Sequence, residues 1–280
     1  MSNGPRNAPA LTAAAYLFLA GASAVVAFPY LWMVATSIKP IEEFFTYPLQ
    51  WLPARPTLRH YLAVLEDSRF LRALLNSAIV STVVTAISLL LSVPAAYGLV
   101  RLAGARGRPM LIAILSAQFF PPMIFFIPFY ILLAEVKLLN TLTGLVFAYL
   151  SVTLPICTWM VATSLRALPR ELEEAARIDG CSDVQIIWRI VLPIASPGIV
   201  TAGIFAFVLA WQEYIFALLY TTTPAAQTAP VLMFYYLGQH QIDYGRMMAA
   251  AVLLSLPIAL PFAIIQRHYR QGRNEGGVKG

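Results

Sequence analysis

The sequence predicts an all-α membrane protein with six transmembrane helices. Hydrophobic residues make up 59% of the 280 residues and charged residues only 11%, so the chain is far more apolar than an average soluble domain. The charged residues also leave long gaps, and a helix of about 20 apolar residues suffices to cross a hydrocarbon core about 30 Å thick. A charged segment, 166–197, interrupts this pattern between the fourth and fifth apolar runs.

The apolar runs set the predicted boundaries of the spans. Charge-free runs occupy 7–38, 73–100, 109–134, 141–165, 190–212 and 247–266. We predict a single transmembrane domain over 1–280, with spans at about 11–36, 73–100, 109–133, 143–165, 198–220 and 247–265. The first run continues beyond the length of a signal-peptide apolar region, so we predict a retained first span.

The distribution of Lys and Arg sets the predicted orientation. With the amino terminus inside, twelve of these residues fall on inner segments and seven on outer segments, which follows the positive-inside rule. The loop from Arg101 to Arg108 carries three arginines and no acidic residue. We therefore expect both termini, and the charged segment 166–197, on the cytoplasmic side.

The charged segment carries the sequence signals of two short helices joined by a glycine corner. Three acidic residues stand where the first helix would begin, and Gly180 suits the left-handed residue that ends a helix. Ser182 and Gln185 form a capping-box pattern that begins the second helix. That helix would carry one apolar stripe, formed by Ile186, Ile187, Ile190 and Val191. We interpret the segment as a surface for a partner protein and not as a catalytic pocket.

Prolines also interrupt the predicted spans. They are Pro94, Pro121, Pro122, Pro128, Pro155, Pro257 and Pro261. Proline removes helix hydrogen bonds at membrane depth, which is tolerated where neighbouring helices or a water-lined cavity satisfy the freed groups. The pattern favours a protein that encloses a pathway, although a packing kink explains any single proline equally well.

The charged segment resembles the signature of permease subunits of ATP-binding-cassette (ABC) importers. That signature reads Glu-Ala-Ala, three residues, Gly, nine residues, then Ile-x-Leu-Pro, and this sequence matches it at Glu174, Ala175, Ala176, Gly180, Ile190, Leu192 and Pro193. Further matches include Phe120-Pro121, Leu154-Pro155, Pro197-Gly198 and Trp211-Gln212-Glu213-Tyr214. With these, the resemblance covers nearly the whole chain and is closest to the six-span type of maltose-permease-like, carbohydrate-uptake subunits.

The resemblance implies a machine of several chains in a bacterial or archaeal cytoplasmic membrane. A second permease subunit, two ATPase subunits and an extracytoplasmic solute-binding protein would be the partners, and the cargo would be a di- or oligosaccharide. The signature residues, together with Asp179, would couple the chain to an ATPase subunit. The carboxyl-terminal residues Gly276, Gly277, Val278, Lys279 and Gly280 would also contact the ATPases. This chain would be non-catalytic and without a cofactor, because it has no P-loop, and its partners would bind ATP and Mg.

Three polar side chains at membrane depth are candidates for the sugar path: Gln118, Gln212 and Glu213. Glu213 is the only carboxylate within a predicted span, and ionisable groups there are costly and usually functional. Amides and carboxylates also suit the many hydroxyl groups of a sugar. The alternative is that Glu213 only pairs with a neighbouring helix.

Other functions fit the sequence less well. A glycerol-phosphate or polyol importer is the nearest alternative. An ion-coupled secondary transporter would be expected to show two related halves and ion-coordinating groups at the midplane, and the sequence shows neither. A membrane enzyme or metal site would need a cluster of reactive side chains, whereas the Cys and His residues are scattered over different segments.

Overall fold

The computed structural model describes residues 8–48, 50–121, 123–236 and 243–275, with side chains described as far as 259. All regular structure in these residues is helical, which confirms the all-α part of the predicted fold class. The α-helices are α1 (Ala8–Ser37), α2 (Arg59–Glu66), α3 (Ser68–Tyr97), α4 (Gly107–Ser116), α5 (Met123–Glu135), α6 (Leu142–Arg166), α7 (Glu171–Ile178), α8 (Asp183–Ile186), α9 (Leu192–Gln212), α10 (Ile215–Tyr220), α11 (Ala229–Tyr235) and α12 (Tyr244–Glu275).

Four helical stretches among the described residues are long and apolar enough to cross a membrane. They are Leu11–Ser37, Ser68–Leu102, Leu142–Arg166 and Asp183–Gln212. A fifth is obtained if Gly104–Phe119 and Met123–Glu135, which meet at a bend of 93°, count as one span. The apolar part of α12 within the described residues, Tyr244–Ala259, is shorter than these. Six transmembrane spans therefore remain a prediction.

The fifth predicted span differs from the observed helices at both ends. The helix begins at Asp183 and passes through a π-helical segment, Ile187–Val191, into α9, so it starts well before the predicted residue 198. It then stops at Gln212, and α10 resumes at Ile215. The early start has a local cause, since Ser182 caps the helix and no helix-breaking residue follows before Pro193.

The prolines interrupt the helices less than their positions predict. Pro94, Pro128 and Pro155 all lie inside continuous α-helices. Pro121 does coincide with a break, at the bend that precedes α5. By contrast, the break after Gln212 contains no proline.

The chain divides into two compact units, which are described separately: residues 1–68 with 233–257, and residues 69–232 with 258–280. In the first unit, α1 is exposed along its most apolar stretch. The Ser37 and Tyr61 hydroxyls lie 2.7 Å apart. The Lys39 ammonium is buried, donates to the carbonyl of Gln50 at 2.6 Å and lies over the ring of Trp32.

The second unit has two core clusters. One is rich in aromatic side chains, with Tyr149, Phe216 and Tyr220 packed beside Leu145 and Val231. The other is built mainly from small residues of α6 and α9, namely Ala162, Ala195, Ala202 and Ala206, and extends to Ala176, Ile186 and Val191 of the charged segment. Small residues allow membrane helices to approach closely, and at Gly198 an added Cβ would overlap the Ser164 hydroxyl.

The two ends of the second unit carry different loops. At one end, Arg170 donates to the carbonyl of Val100 at 3.2 Å, so the segment after α3 and the segment after α6 lie side by side. We call this the Arg101 end. At the other, Asn140 donates its backbone N–H to the carbonyl of Tyr220 at 2.9 Å. We call it the Asn140 end. The loops that the charge pattern predicts on one side of the membrane therefore share one end of the unit.

Candidate functional site

The glycine corner of the charged segment has the geometry that its sequence predicts. α7 ends in a Schellman motif, in which Cys181 N–H donates to the Ala176 carbonyl at 3.0 Å and Gly180 N–H to the Arg177 carbonyl at 3.1 Å. Gly180 has φ +86°, a conformation that disfavours any residue with a side chain. The corner fixes the direction in which the chain leaves α7.

The second helix of the segment begins with the predicted capping box. Ser182 N–H donates to Gln185 Oε1 at 2.9 Å, and Gln185 N–H donates to Ser182 Oγ at 3.4 Å. The predicted apolar stripe faces the core, with Ile186 and Val191 buried and Ile187 and Ile190 partly buried in the small-residue cluster. Local capping and apolar periodicity together determine this part of the site.

The segment has a buried face and an exposed face. Among the signature residues, Ala176 is buried, Ile190 and Leu192 are half-buried, and Glu174, Ala175, Asp179, Gly180 and Pro193 are exposed. The three most exposed large apolar side chains of the segment are Ile178 at 87%, Trp188 at 68% and Val184 at 64%. We call these three the docking patch. Such exposed apolar side chains beside charged ones are typical of a protein-binding surface.

A buried ion pair attaches α7 to the rest of the second unit, and the sequence interpretation missed it. Arg101 Nε lies 2.7 Å from Glu173 Oε1, and these side chains are only 7% and 6% exposed. Tyr97 donates its hydroxyl to the other carboxylate oxygen of Glu173 at 3.2 Å. One weak signal was present in the sequence, because helical spacing puts Glu173 on the same face as the buried Ala176.

The predicted path residues are only partly brought together. Glu213 accepts hydrogen bonds from the backbone N–H groups of Phe216 at 2.9 Å and Ala217 at 3.1 Å, and so caps α10. It also lines a cavity of about 190 Å³ with Tyr149, Thr153 and several apolar residues. Gln118 donates to the carbonyl of Val152, another lining residue, at 3.1 Å.

Two hydroxyls near this cavity lack a hydrogen-bond partner. Tyr149 faces both Glu213 and Thr228, yet neither the Tyr149 nor the Thr228 hydroxyl makes a hydrogen bond of good geometry. Both hydroxyl oxygens are buried. Gln212 differs from Gln118 and Glu213, because its side chain is exposed and is not part of the cavity lining.

Two further predictions concern the carboxyl-terminal tail and metal binding. The proposed tail contact, Gly276 to Gly280, lies outside the described residues. Among the residues that the structure does describe, no cluster of His, Cys, Asp and Glu side chains could hold a metal ion.

Two features characterise the chain: helices long and apolar enough to cross a membrane, and an exposed segment of helix, glycine corner and helix between two of them. Comparison with known proteins identifies the family. The family described as binding-protein-dependent transport system inner membrane component matches residues 88–274, and the chain belongs to it. This is a family of ABC importer permease subunits, which are non-catalytic. The resemblance seen in the signature residues is thereby confirmed.

Individual relatives match over most of the chain. The sulfoquinovosyl glycerol transport system permease protein of Agrobacterium fabrum is 36% identical over 253 residues, which are 90% of this chain and 89% of that protein. The trehalose transport system permease protein of Mycobacterium tuberculosis is 32% identical over 254 residues, with coverage of 90% and 92%. A chain of a bacterial ABC transporter that imports the acidic polysaccharide alginate has the same fold, with a TM-score of 0.78, 19% identity and coverage of 96% and 100%.

Proposed function

We propose that this chain carries a sugar across the cytoplasmic membrane as one of two permease subunits of an ATP-driven importer. It crosses the membrane six times, with both termini and the Arg101 end in the cytoplasm. Two ATPase subunits bind ATP and Mg and contact the charged segment and the tail. An extracytoplasmic solute-binding protein, which the family description implies, delivers the sugar at the Asn140 end.

The observation that carries this proposal is the two-faced charged segment. The docking patch and the exposed acidic side chain of Glu174 point away from the unit, while Ala176, Ile186 and Val191 are buried in its core. Glu174 and Ile178 are four residues apart, so they lie on one face of α7. A partner that also contacts Val184 and Trp188 would bind the helix that runs from Asp183 to Gln212 without a break, and so would be connected directly to α9.

The cargo proposal rests on the relatives and on the cavity. The two relatives above are named for trehalose and sulfoquinovosyl glycerol, both sugars or sugar derivatives. A di- or oligosaccharide is therefore the proposed substrate class. Gln118, Gln212 and Glu213 are the proposed polar contacts of its path, and Gln118 and Glu213 adjoin the same cavity.

Loss of the docking contact is the direct test. In the complex purified with its ATPase and binding-protein partners, Glu174→Ala should weaken retention of the ATPase subunits and abolish sugar-stimulated hydrolysis. A buried hydrogen-bonded charge at such an interface typically contributes about 2–5 kcal/mol. Glu135→Ala is the matched control, because Glu135 is also exposed but ends α5, whose following turn leads to the Asn140 end. Normal retention and stimulation in the Glu174 variant would overturn the proposed role of the segment.

The chain by itself should neither hydrolyse ATP nor transport sugar. Its sequence has no P-loop, and its family is non-catalytic. The measurement is ATP turnover in proteoliposomes that contain the chain alone or the whole complex. Turnover by the chain alone at the rate of the complex would contradict the proposal.

Glu213→Gln tests the proposed path. The amide retains one oxygen for capping α10 but loses the charge, so assembly should persist while uptake or sugar preference changes. Gln212→Ala is informative beside it, since Gln212 lies next to Glu213 in sequence but outside the cavity lining. A lower melting temperature with unchanged transport per assembled complex would assign Glu213 a purely structural role.

A further inference from the structure

We infer that Arg101 and Glu173 are positioning residues that fix α7 to the ends of α3 and α6, so that these three elements move as one body. This inference rests on the proposed function, since it concerns how movement of a docked ATPase would reach the membrane helices. It assigns a role to two residues that lie outside the permease signature.

Arg101 joins three elements through one side chain. Its Nε contacts Glu173 of α7 at 2.7 Å. Its Nη2 donates to the carbonyls of Leu165 at 3.1 Å and Leu168 at 3.0 Å, at the end of α6 and just beyond it. Arg101 itself lies in the π-helical segment Gly98–Leu102 that continues α3. A guanidinium group suits this position because its donors diverge in one rigid plane.

The carboxylate of Glu173 is satisfied from two directions. Arg101 contacts one oxygen and the Tyr97 hydroxyl donates to the other at 3.2 Å. Tyr97 is the last residue of α3 and is itself buried. Both partners of Glu173 therefore come from the end of α3 and lie one helical turn apart. Because each holds a different oxygen, together they fix both the position and the orientation of the carboxylate.

The charges make this attachment directional and costly to break. Both members of the pair are buried, so separating them would leave two charges without partners in a region of low dielectric. The apolar contacts of Ala176 and Ile186 in the same region add packing but are non-directional, so they do not set one geometry for α7. The ion pair and the bonds of Arg101 to the Leu165 and Leu168 carbonyls are therefore buried polar contacts that fix α7 relative to α3 and α6.

The neighbouring residue connects this attachment to the proposed docking face. Glu174 is exposed while Glu173 is buried, so of two adjacent carboxylates on α7 one faces the core and the other faces away from it. A force applied at Glu174 by a partner would reach Arg101 through a single residue. The π-helical segment also fits such a role, because single π turns inside α-helices often occur at functional sites.

The first experiment measures uptake and ATP hydrolysis together in proteoliposomes that contain the complete transporter. In Glu173→Gln and Arg101→Lys we expect the sugar transported per ATP hydrolysed to fall by at least about fivefold, the lower range of typical coupling between sites. The complex should still assemble. Arg101→Lys retains the charge but cannot contact Glu173 and both carbonyls at once. Combining the two changes should add little to the larger single effect.

Arg106→Lys is the matched control. Arg106 is an exposed arginine five residues after Arg101, and it lies outside the charged segment that the ATPase subunits are proposed to contact. Its transport ratio should stay close to that of the unaltered protein. An unchanged ratio in assembled Glu173→Gln and Arg101→Lys transporters would overturn the inference. Absence of coupled transport in the unaltered complex would instead overturn the proposed function.

A second measurement leaves the ion pair intact and so does not depend on the variants folding. Spin labels at Glu171 and Leu102, both exposed, report the distance between the start of α7 and the end of the π-helical segment. Cys181 is replaced by Ser, and Cys157 is buried. Between nucleotide-free and ATP-bound transporter, this distance should change by no more than about 2 Å, the scale of small helix shifts. A larger change would show that α7 moves independently of α3.

Discussion

At the Asn140 end of the second unit, the segment after α10 is held by neutral amide side chains, whereas at the Arg101 end α7 is held by a charged pair. Asn140 Oδ1 accepts from the backbone N–H groups of Thr222 at 2.6 Å and Thr223 at 3.0 Å. Asn76 Nδ2 donates to the carbonyls of Ala225 and Gln227, each at 2.9 Å. Both arrangements join residues far apart in the chain, but only one of them buries ions.

This difference sets how easily each loop can be released. Water can replace a neutral hydrogen bond at an exposed position such as Asn140, and the net loss is about 0.5–1.5 kcal/mol for each bond. Removing one partner of a buried ion pair leaves the other uncompensated and typically costs about 3–5 kcal/mol. The exposed bonds of Asn140 are therefore easier to release than the buried pair of Arg101 and Glu173.

The largest effect on stability is expected for Glu173→Ala. It leaves Arg101 buried without its carboxylate, so the free energy of unfolding should fall by about 3–5 kcal/mol. Unfolding by a denaturing detergent in mixed micelles measures the change. Glu171→Ala, an exposed change on the same helix, serves as the control. A loss in the Glu173 variant no larger than in this control would mean that the pair does not hold α7.

A smaller effect is expected for Gly180→Val. A β-branched residue at φ +86° is strained, at a cost of about 1–3 kcal/mol. No atom lies close enough to crowd a Cβ at this position, so the strain is conformational and not steric. Gly180→Asn should therefore retain most of the stability, because Asn tolerates the left-handed conformation better. Equal losses in the two variants, measured by the same unfolding assay, would argue against a conformational cause.

Asn140 allows side-chain bonding to be separated from backbone strain. Asn140 has φ +59°, so Asn140→Gly removes the side-chain bonds without adding left-handed strain and should cost about 1–3 kcal/mol. Asn140→Ala removes the same bonds and adds left-handed strain of roughly another 1 kcal/mol. Sugar-stimulated hydrolysis per assembled complex should stay closer to normal in both than in Glu173→Gln. A greater loss of coupling at Asn140 would reverse the comparison between the two ends.

The smallest effect is expected for Arg177→Ala. Arg177 and Asp183 form an ion pair of 3.1 Å across the glycine corner, but their side chains are 49% and 74% exposed. An exposed pair of this kind contributes at most about 1 kcal/mol, so the variant should be nearly as stable as the unaltered protein. A loss of stability as large as that of Glu173→Ala would contradict this prediction. It would show that the exposed pair Arg177–Asp183 contributes as much as the buried pair Arg101–Glu173.

The sequence by itself determined the features that depend on neighbouring residues. Helical fold class, the capping box of Ser182 and Gln185, and the left-handed conformation of Gly180 follow from composition and local pattern. The apolar stripe that includes Ile186 also follows, because 3.6-residue periodicity identifies a buried face. The outline of the charged segment could therefore be predicted from the sequence, and so could the family that it resembles.

Only the tertiary structure decided the long-range pairings. Arg101 and Glu173 are 72 residues apart in the chain. From the sequence alone, an arginine at the end of an apolar run indicates only the orientation of the span in the membrane. The helix break at Glu213 likewise carries no proline, whereas Pro94 and Pro155 lie in continuous helices. The N–H groups freed at this break are capped locally by the Glu213 carboxylate, at Phe216 and Ala217, but no residue of the sequence pattern marked where the helix would break.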